Sequence, residues 1–298
     1  MTGAGFAETV WSVWRRRLEM VARWIPEIIE DRDPEPLHQF RVSIRYLLSM
    51  NQAFALSDAV PQVDRNGKVF RRWIKYAGPI RDLDVQLMAV ERWRISQRIP
   101  VRTLDRFSAF LREPRKTKHQ ILCEQLAALG PYAFHLLSID ARPTCPAITT
   151  YRAGYFSGRR TRIKHRLRAA GQTDDPEKII GLLHTVRIAL KSIRYPLSVI
   201  NEYADGRLGP ELITFKQVQD ILGRLHDNEV ILGSLNKFSR FTGEEPVSGG
   251  ISNIIDECHR IRRWHLERFL REWNEVRLME LLDNVYPEIE KTTGSARG

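Results

Sequence analysis

The sequence predicts an all-α protein with an internal duplication. Three observations predict it. Apolar residues recur at spacings of three and four along most of the chain, which gives each helix one face to bury. Alternating apolar runs bounded by turn residues, the mark of half-buried strands, are scarce. Two motifs each occur twice, in the same order and at nearly the same separation.

The first motif is clearest in His184-Thr-Val-Arg187-Ile-Ala-Leu-Lys191-Ser-Ile-Arg194-Tyr195. At about 100° per residue, His184, Arg187, Lys191 and Arg194 fall within one narrow arc of a helix. Val186, Leu190, Ile193 and Leu197 form an apolar stripe on a different face. The pattern occurs earlier in His38-Gln-Phe-Arg41-Val-Ser-Ile-Arg45-Tyr-Leu47, with His38, Arg41 and Arg45 in the polar row. There Phe40, Ile44 and Leu47 match Val186, Leu190 and Ile193. The second motif is Gly78-Pro-Ile-Arg-Asp82-Leu-Asp84-Val85, matched by Gly223-Arg-Leu-His-Asp227-Asn-Glu229-Val230. His38 precedes Asp82 by 44 positions and His184 precedes Asp227 by 43, so an internal duplication is the simplest explanation.

In chain order, residues 6–31 keep Val10, Val13, Trp14, Leu18, Val21 and Ile25 at helical spacing, and Pro34 and Pro36 close the segment. The first signature helix is expected over 37–56. A helix over 61–76 carries Arg65, Lys68, Arg71, Arg72 and Lys75. Gly78-Pro79 reads as a break, with Asp82 as N-cap of a further helix to about residue 95. Helical stretches follow over 101–137, broken near Pro114 and Gly130-Pro131, with Arg112, Arg115, Lys116, Lys118 and His119 clustered there. Two prolines within Ala141–Pro146 mark a linker between halves at 1–140 and 147–290. The second half repeats the plan. A very basic helix over 148–170 holds Arg162 and Arg166, and Asp174-Asp175-Pro176 starts the second signature helix. Helices over 212–222 and 227–238 follow, the latter with Asp227 as N-cap. Residues 241–250 read as a loop. Helices over 251–273 and 275–285 close the fold, and 291–298 is expected to be a disordered tail.

The 298 residues can bury a substantial core, and 43% apolar content with seven Trp indicates a globular protein. The 47 Lys and Arg against 36 Asp and Glu leave a formal charge of +11, which points to a polyanionic partner without choosing among them. Cys123, Cys145 and Cys258 form no CxxC pair, so neither a disulfide framework nor a thiolate zinc site is suggested. No apolar run is long enough to span a membrane, and residues 1–8 lack the pattern of a signal peptide. A cytoplasmic protein is expected.

The repeated motifs resemble the signatures of the CHAD domain, the conserved-histidine α-helical domain, over roughly the whole chain. Together with the cationic rows, the resemblance implies a single domain, 1–298, of two duplicated helical bundles related by a pseudo-twofold axis, with a central basic groove that binds inorganic polyphosphate. It implies no catalytic activity and no cofactor, and it suggests association with polyphosphate granules. The chain departs from the family pattern at Tyr46 and Leu48, where further basic residues are common, so the second half is the better supplied with cations.

A polyphosphate chain offers no base to read, so a binder needs cations at spacings commensurate with the polymer. Arginine can clamp two phosphate oxygens, and lysine acts as a movable point charge. The expected contacts are Arg41, Arg45, Arg187, Lys191 and Arg194, assisted by His38 and His184. Arg16, Lys75, Arg112, Arg162 and Arg166 on neighbouring helices would extend the track. The histidines could instead ligate a metal or be partly buried structural residues, and no metal site is expected.

Two alternatives remain at this stage. A nucleic-acid binder accounts for the charge but requires aromatics exposed for stacking, whereas Trp11, Trp14, Phe40 and Trp73 occupy apolar helix positions. A metal-dependent phosphohydrolase would use His184, His226 and Asp227, yet the residue matching His226 in the first half is Arg81. No P-loop, no GxSxG elbow and no Glu-x-Glu-x-Lys strand of the triphosphate tunnel enzymes occurs.

Overall fold

The computed structural model describes residues 3–96, 99–128, 154–242 and 250–294. Regular structure among them is entirely helical. In order come α1 (Gly3–Glu30), α2 (Glu35–Phe54), α3 (Leu56–Ala59), α4 (Pro61–Ser96), α5 (Val101–Ala127), α6 (Gly154–Ala170), α7 (Pro176–Tyr203), α8 (Gly209–Thr242), α9 (Gly250–Glu272), α10 (Glu275–Asn284) and α11 (Tyr286–Gly294).

Local chemistry sets several of these ends. Asp175 caps α7, its Oδ1 accepting from Glu177 N at 3.0 Å and Lys178 N at 3.4 Å, with Pro176 where no N–H is needed. Asn274 caps α10 in the same way, accepting from Arg277 N at 2.9 Å. Ala55, at φ 51°, turns the chain sharply from α2 into α3.

The structure corrects the expected breaks. Helix α4 runs unbroken through Gly78-Pro79, α8 through Gly223, and α5 through Pro114. Asp82 and Asp227 therefore lie in helix interiors and cap nothing. Pro79 removes one ladder donor. That loss is outweighed because Phe70, Trp73, Ala77, Ile80 and Leu83 stay in phase and buried on both sides of it. In α8 the buried series Leu222, Leu225, Asn228, Ile231 and Leu232 likewise carries on past Gly223. Residues 291–294, expected within a disordered tail, complete α11, and Thr292 is buried. The expected break at Gly130-Pro131, the linker at 141–146, the start of the 148–170 helix and most of the 241–250 loop lie outside the described residues.

The helices pack in two matching series. Helix α2 packs on α1 and α4, and α4 on α5; α7 packs on α6 and α8, and α8 on α9. The series meet where α2 lies against α7. There Tyr46 and Ser198 share a hydrogen bond of 2.6 Å, and the Tyr46 and Tyr195 rings sit 5.2 Å apart.

Two hydrophobic cores result, and neither belongs to one half of the sequence. The larger joins α1, α2, α3, the first part of α4 and the end of α5 to α6, α7, the first part of α8, the end of α9, α10 and α11. The smaller joins the second parts of α4 and α8 to α5 and α9. On α4 the change of core falls between Ile80 and Leu83, and on α8 between Leu225 and Ile231. Asp82 and Asp227 lie at that level on their helices.

Candidate functional site

The apolar rows of the two signature helices bury as expected. Phe40, Ile44 and Leu47 of α2, and Val186, Leu190, Ile193 and Leu197 of α7, are all in the larger core. This fixes the rotation of each helix, and with it the side to which the cationic row turns.

The two rows converge. The charges acting on Arg41 are those of Arg45 on its own helix, Asp82 and Arg81 on α4, and Arg187 on α7. Those acting on Lys191 are Arg187, Arg45, Asp227 and Arg194. His38 is influenced by Arg81 and Lys191, and His226 by Arg187, His184, Lys191 and Arg45. Residues from α2, α4, α7 and α8 thus share one cationic cluster, in which Asp82 and Asp227 are the central carboxylates and Glu35 acts on His38 at its edge.

Burial and like charge disturb its members strongly. Burial first, then Arg187 and Arg45, push Lys191 down to about 7. Burial, then Arg45, push Arg41 down to about 10, and burial also lowers Arg187. His226 falls to about 4, burial leading and Arg187 and His184 adding to it. His38 and His184 are lowered by burial and by neighbouring cations. All three imidazoles are therefore neutral at pH 7, each able to donate one N–H. Burial raises Asp227, with Arg187 and Lys191 opposing it.

The cluster's polar atoms are also under-used. Arg41 Nη1, Arg187 Nε and Arg194 Nε are buried and have no hydrogen-bond partner. Such groups normally find a partner, because a desolvated donor without one costs about 1–3 kcal/mol. Gly78 makes room for one of them, since a Cβ there would meet Arg41 Nη1 at 3.1 Å.

The outer cations expected along the track are placed differently. Arg16 donates from Nη2 to both oxygens of Glu202, at 2.6 and 2.8 Å. Lys75, Arg112, Arg162 and Arg166 are exposed, and Arg112 lines a separate cavity of about 280 Å³ with Asp31 and Asp84. None of the five is among the leading charges acting on the cluster. Arg81 was missed by the sequence reading, though its place beside Asp82 in a repeated motif was the available signal.

The acidic residues two positions after Asp82 and Asp227 hold a further pair of matching contacts. Arg115 of α5 donates from Nε to Asp84 at 2.6 Å and from both terminal nitrogens to Asp31 at 2.6 and 2.7 Å. Arg262 of α9 contacts Glu229 at 3.1 Å and Glu177 at 2.6 Å. Asp31 lies seven residues before His38, and Glu177 seven before His184. Each bridge braces the aspartate-bearing helix against the start of the signature-helix segment.

His184 and His226 are brought together, their ring centroids 4.7 Å apart. Among the described residues no group of three or more His, Cys, Asp or Glu side chains is arranged to hold a metal ion. The aromatics singled out for possible stacking, Trp11, Trp14, Phe40 and Trp73, are all buried. No described helix is long and apolar enough to cross a membrane.

Comparison with known proteins adds three findings. A family model of the CHAD domain matches residues 12–236. The fold resembles a crystal structure of the CHAD domain from the plant Ricinus communis, at 19% identity and a TM-score of 0.56, over 93% of this chain and 91% of that one. It also resembles PptA from Streptomyces chartreusis, at 16% identity and a TM-score of 0.53, over 91% of this chain and 99% of the other. No curated protein sequence matches the chain significantly.

Proposed function

The chain belongs to the CHAD-domain family, and from that premise we propose that it binds inorganic polyphosphate as a non-catalytic module. The polymer would lie in a basic groove between two duplicated halves, reading no sequence and needing no cofactor. One observation carries the reading: buried guanidinium atoms of Arg41, Arg187 and Arg194 lack partners inside a cluster of like charges. An external polyanion supplies both missing terms, oxygen acceptors for those donors and negative charge to relieve the repulsion. Helical spacing sets neighbouring cations about 5–6 Å apart at Cβ, so each row can follow successive phosphates.

In this arrangement Arg41, Arg45, Arg187, Lys191 and Arg194 clamp phosphate oxygens. Neutral His38 and His184 donate single hydrogen bonds, and Arg81 joins the row from α4. The exposed Lys75, Arg112, Arg162 and Arg166 would extend the track at the surface. The paired bridges at Arg115 and Arg262 support the duplication, because each ties an acidic residue of the second motif to a carboxylate seven residues before the motif histidine. In the cell such a module would bring the protein to cytoplasmic polyphosphate granules.

Reversing charge at Arg187 and Arg194 tests the assignment in a titration with long-chain polyphosphate. Both substitutions should weaken binding by more than tenfold each. Unchanged affinity in the pair would remove the cluster as the site.

The His184–His226 contact favours a second reading, a metal-dependent phosphohydrolase that also uses Asp227. Arg187 and Lys191 beside the pair oppose a divalent cation electrostatically. That reading requires phosphate release that depends on divalent metal and is lost in His226→Ala.

A further inference from the structure

A cavity of about 860 Å³ opens between α4, α5 and α8, over the smaller core. One side of its wall is an aromatic cluster of Phe110, Phe238 and Phe241. Phe110 stands 5.3 Å from Phe238 and 5.8 Å from Phe241, ring centre to centre, and Phe241 is 77% exposed. A large aromatic left in water beside a concave apolar surface is the usual form of a small-molecule site.

The charged groups lining the cavity are three cations, Arg106, Lys118 and Lys237, and two carboxylates, Asp82 and Glu113. Gln86 is 2% exposed, and its Nε2 donates to the Asp82 carbonyl at 3.1 Å. Its Oε1 is buried with no donor, on a residue that lines the cavity. Lys118 and Lys237 line the same cavity, and neither forms an ion pair among the described residues.

We propose that this cavity binds a small amphipathic anion. Its aromatic or aliphatic body packs on Phe110 and Phe241, a hydroxyl or amine N–H donates to Gln86 Oε1, and an anionic head group reaches Lys118 and Lys237. The site is separate from the cationic cluster, although Asp82 borders both.

The probe 8-anilinonaphthalene-1-sulfonate carries all three features: fused rings, an N–H and a sulfonate. Titrated into the full chain without polyphosphate, it should show one saturable site with enhanced, blue-shifted emission. Ala109 is exposed on α5 and lines the cavity, so Ala109→Trp fills it from a position where the fold tolerates bulk. That variant and Lys237→Glu should each raise the dissociation constant at least about tenfold. Phe241→Ser, at an exposed position, should weaken the probe as well. Circular dichroism confirms that each variant is folded. Binding with no saturable single site, or with equal affinity in folded Ala109→Trp and Phe241→Ser, overturns the proposal. Because no polyphosphate is present, the result does not depend on the polymer-binding reading.

Discussion

Gly78 of α4 lies so close to Arg41 of α2 that a Cβ at position 78 would sit 3.1 Å from Arg41 Nη1. At its counterpart in the second motif, Gly223, a Cβ would meet nothing within 4 Å. The two glycines therefore answer differently to the same change.

Alanine is preferred over glycine in a helix interior by about 0.5–1 kcal/mol. Gly223→Ala should raise stability by roughly that amount and leave polyphosphate affinity unchanged. Gly78→Ala presses only on the far end of a flexible side chain, so it should cost little stability, yet it displaces a guanidinium of the cluster and weakens binding. Thermal melts and polyphosphate titrations on both variants check the contrast. Equal affinities would separate Gly78 from the site.

Lys191 gives the cluster a pH signature. Its amine titrates at about 7 in the folded chain, against an ordinary 10.5. Between those values the unfolded chain holds a proton that the folded chain lacks, so stability rises with pH across that window. Below about 7 the penalty of burying the charged amine is fully present. Urea midpoints should climb from pH 7 to 9.5 more steeply in the parent than in Lys191→Met, and the variant should be the more stable at pH 6. Bound polyanion favours the charged amine, so binding takes up a proton near pH 8 and affinity falls as pH rises. A pH-independent affinity would remove Lys191 from the contact set.

The two arginine bridges match in connectivity and differ in burial. The Asp84 side chain is 2% exposed against 26% for its counterpart Glu229, and Asp31 is 29% exposed against 65% for Glu177. Removing Arg115 leaves a buried carboxylate unpaired, so Arg115→Ala should lose about 3–5 kcal/mol. Arg262→Ala exposes carboxylates that water already reaches in part, so its loss should be about 1 kcal/mol. Denaturant midpoints of the two variants measure the ratio, and equal losses would contradict the burial argument.

Much of this architecture is legible in the residues. The phase between the cationic and apolar rows fixed which face of α2 and α7 turns inward, because Phe40, Ile44, Val186 and Leu190 could not remain in water. The start of α7 was legible because Asp175-Pro176 combines a side-chain acceptor with a residue that needs no donor. The misread points are those where tertiary burial overrides a local signal. Pro79 and Gly223 look like punctuation, but the apolar series around them is long enough to carry each helix through. Of the two roles the residues suggest for Asp82 and Asp227, capping fails with those breaks, whereas a place beside the arginine rows agrees with the charges acting on Arg41 and Arg187. Arg81 was overlooked because its row is completed by a different helix, and adjacency across helices leaves no spacing to read. The sharing of both cores between the halves had no local signal at all.

Arg16 separates a cation in the cluster from one near it. Its guanidinium is already bonded to both oxygens of Glu202, and both side chains are well exposed. Such a surface pair is worth about 0–1 kcal/mol, so Arg16→Ala should leave stability nearly unchanged and lower polyphosphate affinity far less than Arg187→Ala. Comparable losses in the two variants would place Arg16 on the track.

The central claim is that the converging rows select polyphosphate over other polyanions, and competition measures it most directly. Labelled long-chain polyphosphate bound to the full chain at physiological salt is displaced by unlabelled polyphosphate, single-stranded RNA or duplex DNA at equal phosphate concentration. Higher salt weakens every polyanion, so the ranking carries the decision and not the salt slope. Polyphosphate should outcompete both nucleic acids by orders of magnitude. Even competition among the three would contradict the claim and reduce the cluster to a general basic surface.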